Sequence, residues 1–138
     1  MFDPKTKFLV IDDFKTMRTI VKRSLQQMGF SAIDEAEDGE AAFVLITKGL
    51  AENTPYECIV SDWNMPKMSG LQLLVKVRSD ARMKNLPFIL VTAENEQSQV
   101  MEAAKSGVSN YLTKPFTPAD FQTKMKLVYQ KHNKPKAA

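Results

Sequence analysis

Lys7-Phe8-Leu9-Val10-Ile11-Asp12-Asp13 is the stretch on which the fold turns: a short apolar run ends in a pair of carboxylates. Behind it, Met17, Ile20, Val21, Leu25 and Met28 recur at helical spacing up to Gly29, where a left-handed C-terminal cap is wanted. A run rich in Val, Ile, Leu and Phe followed by an amphipathic stretch is one βα unit, and the pattern returns along the chain. Strands are expected at Lys7–Ile11, Ala32–Ala36, Glu57–Ser61, Phe88–Val91 and Asn110–Thr113. A second helix is expected over about Gly39–Thr47. Leu71, Leu74 and Val75 mark a third after Ser69-Gly70, Val100, Ala103 and Ala104 a fourth before Gly107, and Phe121, Met125 and Val128 a fifth. Repeated βα units imply an α/β fold with a parallel sheet, whose most apolar strands lie centrally with both faces covered. Lys48–Tyr56, with Gly49, Asn53 and Pro55, reads as a surface loop, and the Pro/Lys/Ala end at 133–138 as a disordered basic tail after a domain spanning 1–132.

The 138 residues suffice for one core and not two. With 43% hydrophobic and 25% charged residues the composition is that of an ordinary globular domain. Apolar runs such as Phe8–Ile11 and Phe88–Val91 are far short of a bilayer span, and the run after the N-terminal lysines is too short for the apolar region of a signal peptide, so neither membrane insertion nor a signal peptide is expected. Cys58 is the single cysteine; without a disulfide, a cytoplasmic location is expected. The net charge of +3 is local: residues 1–120 carry 14 basic and 16 acidic side chains, while 121–138 carry five lysines and no acid. Lysines on the solvated face of a last helix explain that better than a nucleic-acid stripe, so no nucleic-acid partner is expected.

In an open parallel sheet, ligands bind outside the carboxyl ends of the strands. Those ends read Ile11-Asp12-Asp13, Ser61-Asp62-Trp63-Asn64-Met65-Pro66, Val91-Thr92-Ala93-Glu94 and Thr113-Lys114-Pro115-Phe116. Each residue has an ordinary reading as a cap, turn or surface lysine. Independent caps, however, have no reason to bring three carboxylates, a hydroxyl and an ammonium to the same edge. Close carboxylates repel unless a cation compensates, and oxygen ligands with open water positions suit Mg²⁺ bound beside a phosphate. The constellation points to a phosphoryl site.

At these residues, and at Glu35-Ala36-Glu37-Asp38-Gly39, Leu86-Pro87, Tyr111 and Lys114-Pro115-Phe116-Thr117, the sequence resembles the receiver domains of bacterial two-component response regulators, among them the stand-alone receivers of chemotaxis. The resemblance covers most of the chain. It implies a flavodoxin-like, doubly wound (βα)5 fold with strand order 2-1-3-4-5. It implies Asp62 as phosphoacceptor, with Asp12, Asp13, Asp62 and the Asn64 backbone carbonyl holding Mg²⁺, Asp12 mainly through water. Lys114, Thr92 and the Ala93 amide would bind phosphoryl oxygens. Thr92 and Tyr111 would form the switch, Asn64 and Glu94 would tune hydrolysis, and Gln97, Val100, Tyr111 and Lys124 would lie on the partner face. The partners implied are a chemotaxis histidine kinase, a flagellar motor switch protein and a phosphatase, with the chain itself a monomer. It would be a switch that catalyses its own phosphorylation and dephosphorylation rather than an enzyme acting on others.

A phosphorelay receiver or a phosphate sink with a non-motor partner is the alternative within the family. An aspartyl-phosphate hydrolase would want a second acid where Asn64 stands, and an FMN binder a Gly/Ser/Thr-rich loop where Asp12-Asp13 stands. The chain departs from the family pattern at Lys48–Tyr56, about five residues longer than usual in chemotaxis receivers. Gln97 and Val100 stand where more basic and bulkier residues often occur. Tyr111 alone would read as strand-edge packing, and Cys58 and His132 are assigned no function.

Overall fold

The computed structural model describes residues 4–92, 97–114 and 116–132. Five strands alternate with five helices: β1 (Phe8–Ile11), α1 (Lys15–Gln27), β2 (Ile33–Ala36), α2 (Gly39–Ala51), β3 (Cys58–Asp62), α3 (Gly70–Arg78), β4 (Phe88–Thr92), α4 (Gln97–Lys105), β5 (Asn110–Thr113) and α5 (Pro118–His132). All strand pairs are parallel, in the order β2-β1-β3-β4-β5. The three most apolar strands, β1, β3 and β4, are the central ones, as their composition requires.

Period-two alternation divides their side chains between two cores. Leu9, Ile11, Ile59, Phe88 and Leu90 pack beneath α2 and α3 with Ala42, Ile46, Leu73, Leu74 and Val77. Phe8, Val10, Cys58, Val60, Ile89, Val91 and Leu112 pack on the other face with Val21 and Leu25 of α1 and Phe121, Met125 and Val128 of α5. Each large side chain fully buried here contributes about 1.5–3 kcal/mol, so two filled layers hold the sheet between its helices.

Local chemistry sets the element ends. Gly29, at φ +96°, closes α1. At α3, Ser69 Oγ accepts from the Gln72 amide (3.1 Å) while the Ser69 amide donates to Gln72 Oε1 (2.9 Å). That reciprocal cap satisfies two amides the helix start would otherwise leave unpaired. Asp38 caps α2 by accepting from the Ala41 amide at 2.8 Å.

Four expectations need correcting. α2 does not end near Thr47 but runs to Ala51, so much of the expected 48–56 loop is an additional helical turn. Gly49 permits it: a side chain there would meet the Thr54 carbonyl oxygen at 2.8 Å. On α1 the inward face is Arg18, Val21, Ser24 and Leu25, with Ile20 43% exposed. On α3 it is Gly70, Leu73, Leu74 and Val77, with Val75 turned out, and on α4 Ala103 is buried and Ala104 exposed. His132, to which the sequence assigns no function, joins α5 to the sheet: its Nε2 lies 2.5 Å from Ser109 Oγ, an oxygen that also accepts from the Phe88 amide at 3.0 Å. The 133–138 tail lies outside the described residues.

Candidate functional site

Parallel pairing carries Asp12, Asp62, Thr92 and Lys114 to one edge of the sheet, because β1 faces β3 at Ile11 and Ser61, β3 faces β4 at Asp62 and Val91, and β4 faces β5 at Thr92 and Thr113. Asp12, Asp62 and Thr92 are buried, and Asp13 is exposed. Lys114 Nζ lies 3.0 Å from Asp62 Oδ1 and 3.5 Å from Asp12 Oδ2. One ammonium therefore bridges the ends of β1 and β3 from β5. The backbone delivers it there: the Lys114 amide donates to the Thr92 carbonyl at 2.7 Å, zipping β5 to β4 one step past the last strand pair.

Carboxylate oxygens of Asp12, Asp13 and Asp62 all lie within 4.8 Å of one another. Burial pushes the Asp62 carboxyl above its ordinary value, against the hydrogen bond and charge of Lys114. Burial does the same to Asp12, reinforced by the charge of Asp62 and opposed by the Phe14 amide and Lys114. For Lys114 burial would lower the pKa, yet the hydrogen bond and charge of Asp62, with those of Asp12, outweigh it and the pKa is raised. Asp12 and Asp62, disfavoured in their charged form and sharing one ammonium among the described residues, form a site that gains from a hard divalent cation. Clustered carboxylate oxygens are the donor chemistry such a cation takes.

The wall of the site is the 63–70 loop. Trp63 donates its amide to the Val91 carbonyl (2.9 Å) and the Gly70 amide returns to the Trp63 carbonyl (2.8 Å). A methyl group on Gly70 would sit 2.2 Å from the Asp62 carbonyl oxygen, so only glycine lets α3 start this close to the phosphoacceptor candidate. Lys67, at φ +66°, makes the intervening turn. Asn64 is exposed on that loop.

Of the other candidates, Tyr111 and Lys124 meet: Lys124 Nζ stands 4.8 Å over the Tyr111 ring and 3.5 Å from Asn110 Oδ1. Tyr111 is half-buried at the outer edge of the sheet, away from Asp62. Ala93 and Glu94 lie outside the described residues, as do the side chains of Gln97 and Val100.

One residue at the site carries no sequence signal as a site residue. Arg18, 8% exposed, donates from Nη1 to the Asp12 carbonyl (2.7 Å) and from Nε to Glu35 Oε1 (3.1 Å). A basic residue in an amphipathic helix ordinarily reads as surface, and only its place in line with Val21 and Leu25 could have marked it.

The fold and the acid–lysine edge together define a receiver domain, and the chain belongs to that family: the model of the response regulator receiver domain matches residues 8–126. Among curated relatives, chemotaxis protein CheY-3 of Vibrio cholerae is 42% identical over 125 residues, covering 91% of this chain and 92% of the relative. Chemotaxis protein CheY of Pseudomonas aeruginosa is 42% identical over 127 residues, covering 92% and 98%. Among solved structures, the Vibrio cholerae chemotaxis response regulator CheY4 superposes with a TM-score of 0.77 at 29% identity, covering 90% of this chain and 98% of that one. The Francisella response regulator 1452 receiver domain gives 0.76 at 31% identity, covering 92% and 98%. Receiver domains are signalling switches. Among the described residues no helix is long and apolar enough to cross a membrane.

Proposed function

We propose that this chain is a phosphorylation-activated chemotaxis response regulator that takes a phosphoryl group on Asp62 from a histidine kinase. The observation that carries the reading is the Lys114 ammonium shared between Asp62 and Asp12 beside a third carboxylate, Asp13. Asp12, Asp13 and Asp62, with the Asn64 carbonyl, would hold Mg²⁺; bound there, the ion supplies charge for the phosphoryl oxygens. Asp62 supplies the attacking oxygen. A P–O bond forms as the donor's P–N bond breaks, and the electron pair returns to the imidazole nitrogen, which takes a proton from solvent. Lys114 is already placed to follow the charge as it spreads from the carboxylate onto the phosphoryl oxygens, so little reorganisation accompanies transfer. Thr92, at the next strand end, donates its hydroxyl to the phosphoryl group, and the Ala93 amide adds a second donor. Asn64 and Glu94 set access of hydrolytic water.

The new negative charge biases Thr92 inward and Tyr111 after it, shifting a population at the surface carrying Tyr111, Lys124, Gln97 and Val100. The partner proposed to read this surface is a flagellar motor switch protein; the names of the relatives support a part in chemotaxis. The test is intact mass after incubation with acetyl phosphate and Mg²⁺, with Asp62→Asn and EDTA controls. One metal-dependent phosphoryl group on the wild type alone is expected. Its absence, with a kinase donor as well, would overturn the reading.

A further inference from the structure

We infer that Arg18 is the positioning residue of the metal pair: by pinning the peptide between Asp12 and Asp13, with Glu35 as its counter-ion, it sets where those two carboxylates stand. The inference rests on the metal-assisted reading above. An arginine only 8% exposed, in line with Val21 and Leu25, is an expensive choice for a helix face that an apolar side chain would fill well. Its two directed bonds say what it is for. Nη1 takes the Asp12 carbonyl oxygen at 2.7 Å, and Nε takes Glu35 Oε1 at 3.1 Å. The carbonyl belongs to the peptide plane joining the two acids, so a bond to it fixes the direction in which Asp13 leaves the strand.

The rest of the turn is held from other sides. The Phe14 amide donates to Asp12 Oδ1 at 2.9 Å, closing a side-chain turn. The Asp12 amide donates to the Ala36 carbonyl at 3.2 Å, one residue past Glu35. The Asp12 carbonyl is the group of this turn that Arg18 alone is placed to hold among the contacts described. Glu35 is itself shared, with Lys22 Nζ at 3.6 Å, which keeps the carboxylate aimed at α1 when the guanidinium is buried against it. Outer partners of metal ligands typically govern affinity about 10- to 100-fold, the scale on which Arg18 should act.

A purely structural ion pair tying α1 to β2 would look the same in stability measurements, so the test separates the two. Mg²⁺ affinity is measured by calorimetry and by Trp63 emission in the wild type, R18M, R18K, E35Q and L25A, each at a temperature where it is fully folded. R18M should weaken Mg²⁺ binding about tenfold or more. R18K keeps the charge but not the planar fork that serves both acceptors at once, and should fall between. E35Q should shift affinity in the same direction by less, and it carries the test alongside R18K should R18M not fold. L25A should lower stability and leave affinity unchanged. Wild-type affinity in R18M, or in both R18K and E35Q, would overturn the assignment, as would equal loss in L25A. A wild type that binds no Mg²⁺ would overturn the underlying reading, and the assignment with it.

Discussion

Replacing Gly70 by alanine should damage the protein at the point where α3 is laid against the end of β3. The added methyl would lie 2.2 Å from the Asp62 carbonyl oxygen and 2.8 Å from Leu90 Cδ2. The leucine methyl can turn aside, but the carbonyl is backbone in a central strand. Ordinary contact needs more than 3 Å, so the start of α3 must withdraw by about 1 Å. That movement stretches the 2.8 Å bond from the Gly70 amide to the Trp63 carbonyl, a loss of about 1 kcal/mol. Overpacking adds about 1–3 kcal/mol, and the better helix propensity of alanine returns less than about 1 kcal/mol at a first-turn position. The net loss is about 2–3 kcal/mol. Urea unfolding followed by Trp63 emission should show the midpoint falling by roughly 1–2 M with the slope unchanged. Because a displacement of this size at a reacting group costs about 10²-fold in rate, phosphorylation of Asp62 should slow as well. Gly29→Ala is the control: φ there is +96° with open space around the site of the methyl, so it should cost about 1 kcal/mol and leave phosphorylation alone. Stability within about 0.5 kcal/mol of wild type together with unchanged phosphorylation in Gly70→Ala would refute the packing argument.

Lys114→Met removes the ammonium 3.0 Å from Asp62; a phosphorylation time course by intact mass should slow by about 10²-fold, and a change below twofold would contradict the electrostatic role. Asp62→Asn should be more stable than the wild type in EDTA at neutral pH. Its carboxyl is raised in the fold, so the contribution it makes is present below the ordinary carboxyl range and lost as pH rises; thermal unfolding at pH 7 decides. His132 has its pKa lowered by burial and by Arg78 and Lys131, against a backbone bond at Asn85. Its contribution is present above the ordinary histidine range and is lost as pH falls through it, so the wild type should lose more stability between pH 8 and 5 than His132→Gln in parallel denaturant titrations. Tyr111→Ala should leave phosphorylation of Asp62 intact and weaken phosphorylation-dependent binding of the partner in a pull-down or calorimetric titration; unchanged affinity would remove Tyr111 from the switch.

How much of this was legible in the sequence depends on which force decides each feature. Strand positions and the central place of the 8–11, 58–62 and 88–92 runs follow from apolarity alone, because a strand covered on both faces has no polar side to hide the signal. The strand order came only from the family resemblance, since periodicity says nothing about which strands are neighbours. The acid, threonine and lysine ends of β1, β3, β4 and β5 were legible because several unusual residues coincide at one edge. Arg18 was not, because a buried guanidinium is written with the same letter as a surface one and its partners lie at Asp12 and on β2. Ile20 and Val75 misled for a related reason: at the margin of an apolar stripe, apolarity does not say which residue turns inward. The end of α2 was missed because Gly49 signals a stop to sequence reading, whereas here the glycine lets the Thr54 carbonyl come close.

The extra turn of α2 and the Glu52–Glu57 connection lie at the edge of the sheet where the strands begin, with the strands themselves, about 13–17 Å long, between them and Asp62. Glu52 is exposed at the end of that helix. Cys58, the single thiol, is wholly enclosed and burial holds its pKa well above the usual thiol range. The protein is thus chemically silent toward maleimides at a corner that tolerates added length. A cysteine introduced at Glu52 would be the single accessible attachment point, so a dye, spin label or surface tether placed there could report the state of Asp62 from the far side of the molecule without standing in the way of whatever binds it.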